Sequence, residues 1–293
     1  MAASSVAPKS CLLLDLSHDE VSIVTHELCD PLHPLLAVHL SSTAKGLREP
    51  MQEQLAELRR AHFEAKVFTS LTLRMSCAAL SDVSDLRLGG ANDRPLIPRF
   101  WSALGNLAGT KSLPRLERLE VNWSETGDEG VERFAEGLRR GCLPSLRELV
   151  LSRTQIGPQG ATALATALTK AAVPALRELY LAHNHLGDAG VAALAAPLRR
   201  LRPSLRELFL HDNGIGDAGL AALVAPPTAG VLEALEVLWL DSNEISDDGC
   251  AALAATLRGG GLPRLGRLDL NGNPASAQAR ASVLAIRATL YGY

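Results

Sequence analysis

The 293-residue sequence predicts an α/β solenoid, with one strand and one helix to each repeated unit. Three observations predict it. The first leucines of six similar segments, Leu116, Leu146, Leu176, Leu205, Leu235 and Leu265, recur at intervals of 30, 30, 29, 30 and 30 residues. Self-similarity at a fixed period of this length marks a stack of equivalent units. Each segment opens as LxxLxL, and the period-two leucines at its end, such as Leu179 and Leu181, describe a strand with one buried face. A helix-length stretch with Val191, Leu194 and Leu198 on one side then supplies the outer layer.

The elements follow in order. "VSDLRLGGA" at Val83–Ala91 reads as an earlier, degenerate copy, and "FTSLTL" at Phe68–Leu73 as a worn first strand. Eight residues after each first leucine stand Ser124, Thr154, Asn184, Asn213, Asn243 and Asn273. A buried hydroxyl or amide there can satisfy backbone groups where the chain leaves the strand, and stacked copies form a polar ladder. The Gly-Asp-x-Gly turns at Gly187–Gly190 and Gly216–Gly219 place an Asp where it can cap its own helix. Pro114, Pro144, Pro174, Pro203 and Pro263 are expected to stop each helix and start the next extended run. Pro197 and Pro226–Pro227 fall within helical stretches, which predicts shortened or irregular outer segments there. "ASAQARASVLAIRATLYGY" lacks a further LxxLxL and reads as a closing helix.

One strand and one helix per 29–30 residues resembles the leucine-rich repeats of the ribonuclease-inhibitor type, over about residues 83–293. The resemblance implies a horseshoe, with parallel strands on the concave face and helices on the convex face, and the solenoid is assigned to 67–293.

Within "LRELYL" the residues between the leucines point to the concave surface. Two after the first leucine come Arg118, Glu148, Glu178, Glu207, Val237 and Arg267; four after come Glu120, Val150, Tyr180, Phe209, Trp239 and Asp269. Six after come Asn122, Ser152, Ala182, His211, Asp241 and Asn271. Tyr180, Phe209 and Trp239 thus stand on adjacent strands, extended by Val150 and closed by Glu120 and Asp269. Strands favour aromatics in general, but adjacent exposed rings with a polar rim, here including His211 and Asp241, describe a protein-binding hot spot. Arg153, His183, Asp212 and Ser242, one position beyond, extend the rim.

The N-terminal segment is unlike the repeats. Ser17-x-x-Glu20 is a capping box that starts a helix near His18, with Val21, Val24 and Leu28 on one face. "HPLLAVHL" offers a second short helix, and "PMQEQLAELRRAHFEAK" from Pro50 a third, amphipathic one. Residues 12–48 resemble an F-box. Leu16-Ser17-His18-Asp19 matches the opening Leu-Pro-x-Asp/Glu with Ser in place of Pro; Val24 and Leu28 match the spaced aliphatics and "DPLHPLLAV" the middle. "SSTAKGLR" matches the basic stretch, with Gly46 where the family often has Trp. The resemblance implies docking to a Skp-type adaptor through Leu16, Val21, Val24, Leu28, Leu32, Leu35 and Leu36, which also serve the segment's own small core. The other role open to this segment is a lid over the first repeat. Residues 50–66 can supply that lid alone, which leaves Leu16–Arg48 in surplus. The helical segment is assigned to 12–66.

A net charge of −3 argues against a nucleic-acid partner held by bulk charge. Five scattered cysteines, no signal-peptide pattern and no membrane-length apolar run point to the cytoplasm or nucleus. No GxSxG, GxxxxGK[ST] or HExxH occurs, and His183-x-His185 lacks a third ligand nearby, so no enzyme activity, metal or cofactor is expected. The leading functional expectation is a substrate-recognition subunit of a cullin-RING (SCF-type) ubiquitin ligase that holds a protein substrate in its groove. The alternatives are a stand-alone leucine-rich-repeat regulator or inhibitor, and a small-GTPase activator.

Overall fold

A computed structural model describes residues 82–88, 101, 104–105, 107–108, 113–122, 127–169, 171–201, 204–225 and 232–291. All lie in the unit Ala79–Tyr293. The F-box-like residues Leu16, Val21, Val24, Leu28, Leu32, Leu35 and Leu36, the 50–66 helix, Phe68–Leu73 and Ser124 lie outside the described residues.

The period-two leucines form the expected strands: β1 (Asp85–Leu88), β2 (Arg118–Val121), β3 (Glu148–Val150), β4 (Glu178–Tyr180), β5 (Glu207–Phe209), β6 (Val237–Trp239) and β7 (Arg267–Asp269). They pair in sequence order as one parallel sheet. Register is uniform: Leu86, Leu119, Leu149, Leu179, Leu208, Leu238 and Leu268 are aligned neighbours. Between the strands run α1 (Gly127–Arg140), α2 (Pro158–Ala167), α3 (Gly187–Arg200), α4 (Asp217–Val224) and α5 (Asp247–Arg258), with α6 (Ala277–Tyr291) closing the array. This is a leucine-rich-repeat horseshoe, with the sheet on its concave face and the helices on its convex face.

The core lies between the two layers. Leu119, Leu149, Leu179, Leu208 and Leu238 from the sheet and Phe134, Leu164, Leu194, Leu223 and Leu253 from the helices are all buried. Each such side chain contributes about 1.5–3 kcal/mol on burial, which is what holds three-residue strands together. Ahead of β2, the buried Trp101 meets Phe134 edge-on at 6.2 Å.

The polar ladder forms. Thr154, Asn184, Asn213, Asn243 and Asn273 are all buried. Asn184 is representative: its Oδ1 accepts from the backbone N–H of Thr154 and Ile156, and its Nδ2 donates to the carbonyls of Leu151 and Leu181. One amide thus satisfies groups in two repeats, at a place where the parallel ladder has ended and the backbone has no partner of its own.

Three expectations are corrected. Pro197 does not shorten the outer segment: α3 runs through it to Arg200. It stands in the penultimate turn, so the missing N–H costs a single helical bond, and Leu201 N–H still reaches the Pro197 carbonyl. The stretch before Pro226–Pro227 is short, as expected, with α4 ending at Val224. Second, the prolines before each strand do not stop the helices. α2 ends at Ala167 and α5 at Arg258 with Gly259 beyond it, well ahead of Pro174 and Pro263. Pro114, Pro144, Pro174 and Pro263 instead take the second position of a turn, closed for example by Leu116 N–H to the Leu113 carbonyl at 3.3 Å. Third, the Asp of Gly-Asp-x-Gly caps the next repeat's helix. Asp128 Oδ1 accepts from Gly157 N–H at 2.6 Å, Asp188 Oδ1 from Gly216 and Gly219 N–H, Asp217 Oδ1 from Ser246 N–H, and Asp247 Oδ1 from Ser276 N–H. A residue already inside its own first turn points its carboxylate sideways, towards the neighbouring helix start, where four N–H groups lack partners.

Candidate functional site

The parallel register places the expected stripe side by side: Glu120, Val150, Tyr180, Phe209, Trp239 and Asp269 are successive cross-strand partners on one face. Tyr180 and Phe209 stack at 4.0 Å with ring planes 6° apart. Phe209 and Trp239 meet edge to face at 5.2 Å and 70°. The edge-to-face contact suits the ring quadrupoles. The stripe is not evenly open. Trp239 is 39% exposed, Tyr180 is half-buried, and Val150 and Phe209 are buried. Phe209 is covered by rings on either side, which a strand-by-strand reading of the sequence does not capture.

The other residues of the face join this row. His211 lies 5.8 Å from Trp239, tilted, and 4.9 Å from His183, edge-on. His183 Nδ1 lies 2.6 Å from Asp212 Oδ2, and its Nε2 faces Arg153 at 3.3 Å. His185 is exposed. The inward-pointing Asn184 separates the two histidines, so His183-x-His185 does not act as a pair. Among the described residues no group of three or more His, Cys, Asp or Glu could hold a metal ion.

Charge is unevenly distributed. On β1–β3 the acids have cations: Asp85 with Arg87 at 2.8 Å, Glu120 with Arg118 at 2.9 Å, and Glu148 with Arg118 at 2.6 Å. Further along, Glu178 accepts the Tyr180 hydroxyl at 3.0 Å and stands directly beside Glu207. Burial raises the Glu207 carboxyl above the usual range and Glu178 adds to the effect, opposed by Arg267. Burial also raises Glu148, with Arg118 opposing. Burial pushes the Tyr180 phenol up, as does its bond to Glu178. His211 is lowered by burial, with Asp241 opposing. Asp241 Oδ1 and His211 Nδ1 are buried and find no hydrogen-bond partner among the described residues.

One feature of the rim is not legible in composition. Arg153, His183, Asp212 and Ser242 all hold left-handed backbone, with φ between 52° and 57°, and Gly272 completes the column at 70°. The glycine in the last copy is the one sequence signal. The turn carries the chain sharply off the strand and presents these side chains at the edge of the face.

A Leucine Rich repeat family profile matches residues 142–165, 174–195, 203–224 and 234–254. Among solved structures, Leiomodin-1 actin-binding site 2 is similar at 17% identity and a TM-score of 0.37, covering 62% of this chain and 84% of that one. A chain of the octameric complex of Latrophilin 3, Unc5D and FLRT2 is similar at 19% identity and a TM-score of 0.38, covering 69% of this chain and 58% of that one. No curated protein matches. Four matched segments, set within a sheet whose seven strands pair in sequence order, identify leucine-rich repeats between residues 142 and 254.

Proposed function

We propose that this chain is a protein-interaction module that captures a partner protein on the face formed by β2–β7. The observation that carries the reading is Trp239. It is one of two exposed large apolar side chains among the described residues, with Leu284 of the closing helix. Its ring is held by Phe209 and bordered by Asp241 and Asp269, an apolar centre with a polar rim. Tyr180, Glu120 and His211 complete the contact surface, with Val150 buried beneath its edge. The test is quantitative capture by the immobilised full chain, wild type against Trp239→Ala. Loss of bound proteins at an unchanged Tm is expected. Capture that ignores the substitution overturns the reading.

The finer reading adds a ligase. The F-box-like pattern of residues 12–48 supports a Skp-type adaptor contact through Leu16, Val21, Val24, Leu28, Leu32, Leu35 and Leu36, which would make the chain a substrate-recognition subunit of an SCF-type ubiquitin ligase. Repeats of 29–30 residues with a full helix support the ribonuclease-inhibitor type. Cys142 and Cys250 are free thiols and no described helix is long and apolar enough to cross a membrane, which supports a cytoplasmic or nuclear setting. Co-purification with the adaptor separates this reading from a stand-alone regulator: no retention by the full chain, where a known F-box protein is retained, removes the ligase.

A further inference from the structure

The partner's chemistry is written in the charge of the face. On β1–β3 two arginines answer Asp85, Glu120 and Glu148 through ion pairs of 2.6–3.8 Å. On β5–β7 the pattern stops. Glu207, Asp241 and Asp269 form no ion pair among the described residues, and Arg267 is the one cation in the three inward-facing columns there. The acids surround one ring. Asp269 is the cross-strand partner of Trp239, and Asp241, two residues along the same strand, shares its face. Asp241 carries a buried oxygen with no donor, and like charges at Glu178 and Glu207 stand directly opposite each other. Evolution of a face for its own stability removes such features, because each costs free energy until a cation arrives.

We propose that the segment bound on this face is cationic, and that it lays an arginine or lysine head group over Trp239 between Asp241 and Asp269. This rests on the reading that the concave face captures a protein. The exposed indole attracts a cation through its ring face. The two carboxylates supply charge-assisted acceptors on either side, and the planar fork of an arginine suits both contacts together. The hydrocarbon stem covers Phe209 and Tyr180. A phosphate-bearing partner is disfavoured by the same acids.

The test uses the full-length protein and a fluorescein-labelled Arg-Gly-Gly repeat peptide, with Lys, Ser and Glu peptides of equal length. Anisotropy titration is expected to rank Arg above Lys, with Ser and Glu unbound. Asp241→Asn with Asp269→Asn is expected to weaken the Arg peptide at least about tenfold, and Trp239→Ala about three- to thirtyfold. Glu132→Gln with Glu136→Gln on α1, the same change in net charge on the convex side, is expected to change nothing. Affinity is expected to fall as salt rises from about 0.05 to about 0.5 M. Equal loss in the convex double variant, or an Arg peptide that does not discriminate, overturns the proposal. If proteins captured by the wild type vanish with Trp239→Ala but persist with the Asp241/Asp269 variant, the docking face stands and the cationic partner falls. If capture survives both, the two readings fall together. A wild-type dimer in sedimentation that Trp239→Ala converts to monomer assigns the face to a second copy instead.

Discussion

Asp188 belongs to α3 but holds α4: its Oδ1 accepts from Gly216 N–H at 2.7 Å and from Gly219 N–H at 2.9 Å. A Cβ on Gly219 would come 2.6 Å from that oxygen. Gly219→Ala should therefore destabilise by about 1–3 kcal/mol, although alanine is the better helix former by roughly 1 kcal/mol. Urea melts of Gly219→Ala, Asp188→Ala and the double variant should show the two costs to be non-additive, with coupling of at least about 0.5 kcal/mol. Strict additivity would mean that the oxygen is not what excludes the methyl group.

The same carboxylate sets the backbone of the residue it caps. Gly157, Gly216 and Ser246 follow a repeat that carries the Asp, and each sits extended, with φ from −94° to −98°. Gly187 follows Pro158 instead; it turns left-handed at φ 55° and donates to the Asn213 carbonyl. Gly216→Ser should thus be nearly neutral, as Ser246 already demonstrates. Gly187→Ser should cost about 1–2 kcal/mol. Matched thermal melts decide it, and equal costs would sever the link between cap and backbone.

Glu207 should make stability fall with rising pH. Its carboxyl titrates above its unfolded value, so within that interval the folded chain binds the extra proton. The group's unfavourable contribution is absent below the unfolded pKa and grows as pH climbs through the raised one. Glu207→Gln should then raise stability at pH 7 by about 0.2–1 kcal/mol, through removal of a part-buried charge and relief of the Glu178 pair. The gain should disappear below about pH 4. A gain of equal size at both values would rule out charge as its source.

Asn243 joins two repeats through four backbone groups: it accepts from Asn213 and Ile215 N–H and donates to the Leu210 and Leu240 carbonyls. Asn243→Ala should cost at least about 3 kcal/mol, since each stranded buried group costs about 1–3 kcal/mol. Denaturant titration measures this. A loss near that of an exposed asparagine would show that water can replace the amide.

The rings of the face should separate in stability. Phe209→Ala should cost about 2 kcal/mol or more, because its neighbours bury it, whereas Trp239→Ala should cost under about 1 kcal/mol. Trp239 is thus the substitution that tests capture without a folding penalty.

Strand existence, the leucine core, the polar ladder and the column membership of Tyr180, Phe209 and Trp239 were legible because they depend on period alone. Strand periodicity assigns a face, and the repeat spacing assigns neighbours. Relations fixed by geometry between repeats were not legible. The direction of the Asp128 and Asp188 carboxylates depends on how far each lies from the adjacent helix start. The coverage of Phe209 depends on the rotamers of Tyr180 and Trp239. The left-handed turn at Arg153, His183, Asp212 and Ser242 is hidden because three different polar side chains and one arginine occupy it, and only Gly272 betrays it.

Pro158 gains a meaning from the Asp caps that surround it. Carboxylates join α1 to α2, α3 to α4, α4 to α5 and α5 to α6, but none reaches from α2 to α3. The convex layer therefore lacks a carboxylate cap at one junction, where Gly190 packs close against Ala161 and Pro158 instead, while the Asn184 contacts to Thr154 and Ile156 keep the inner side continuous across it. The aromatic row from Tyr180 to Trp239 lies wholly on the C-terminal side of that uncapped junction, so every helix start beyond those three strands, from α4 to α6, is tied to its neighbour by a carboxylate.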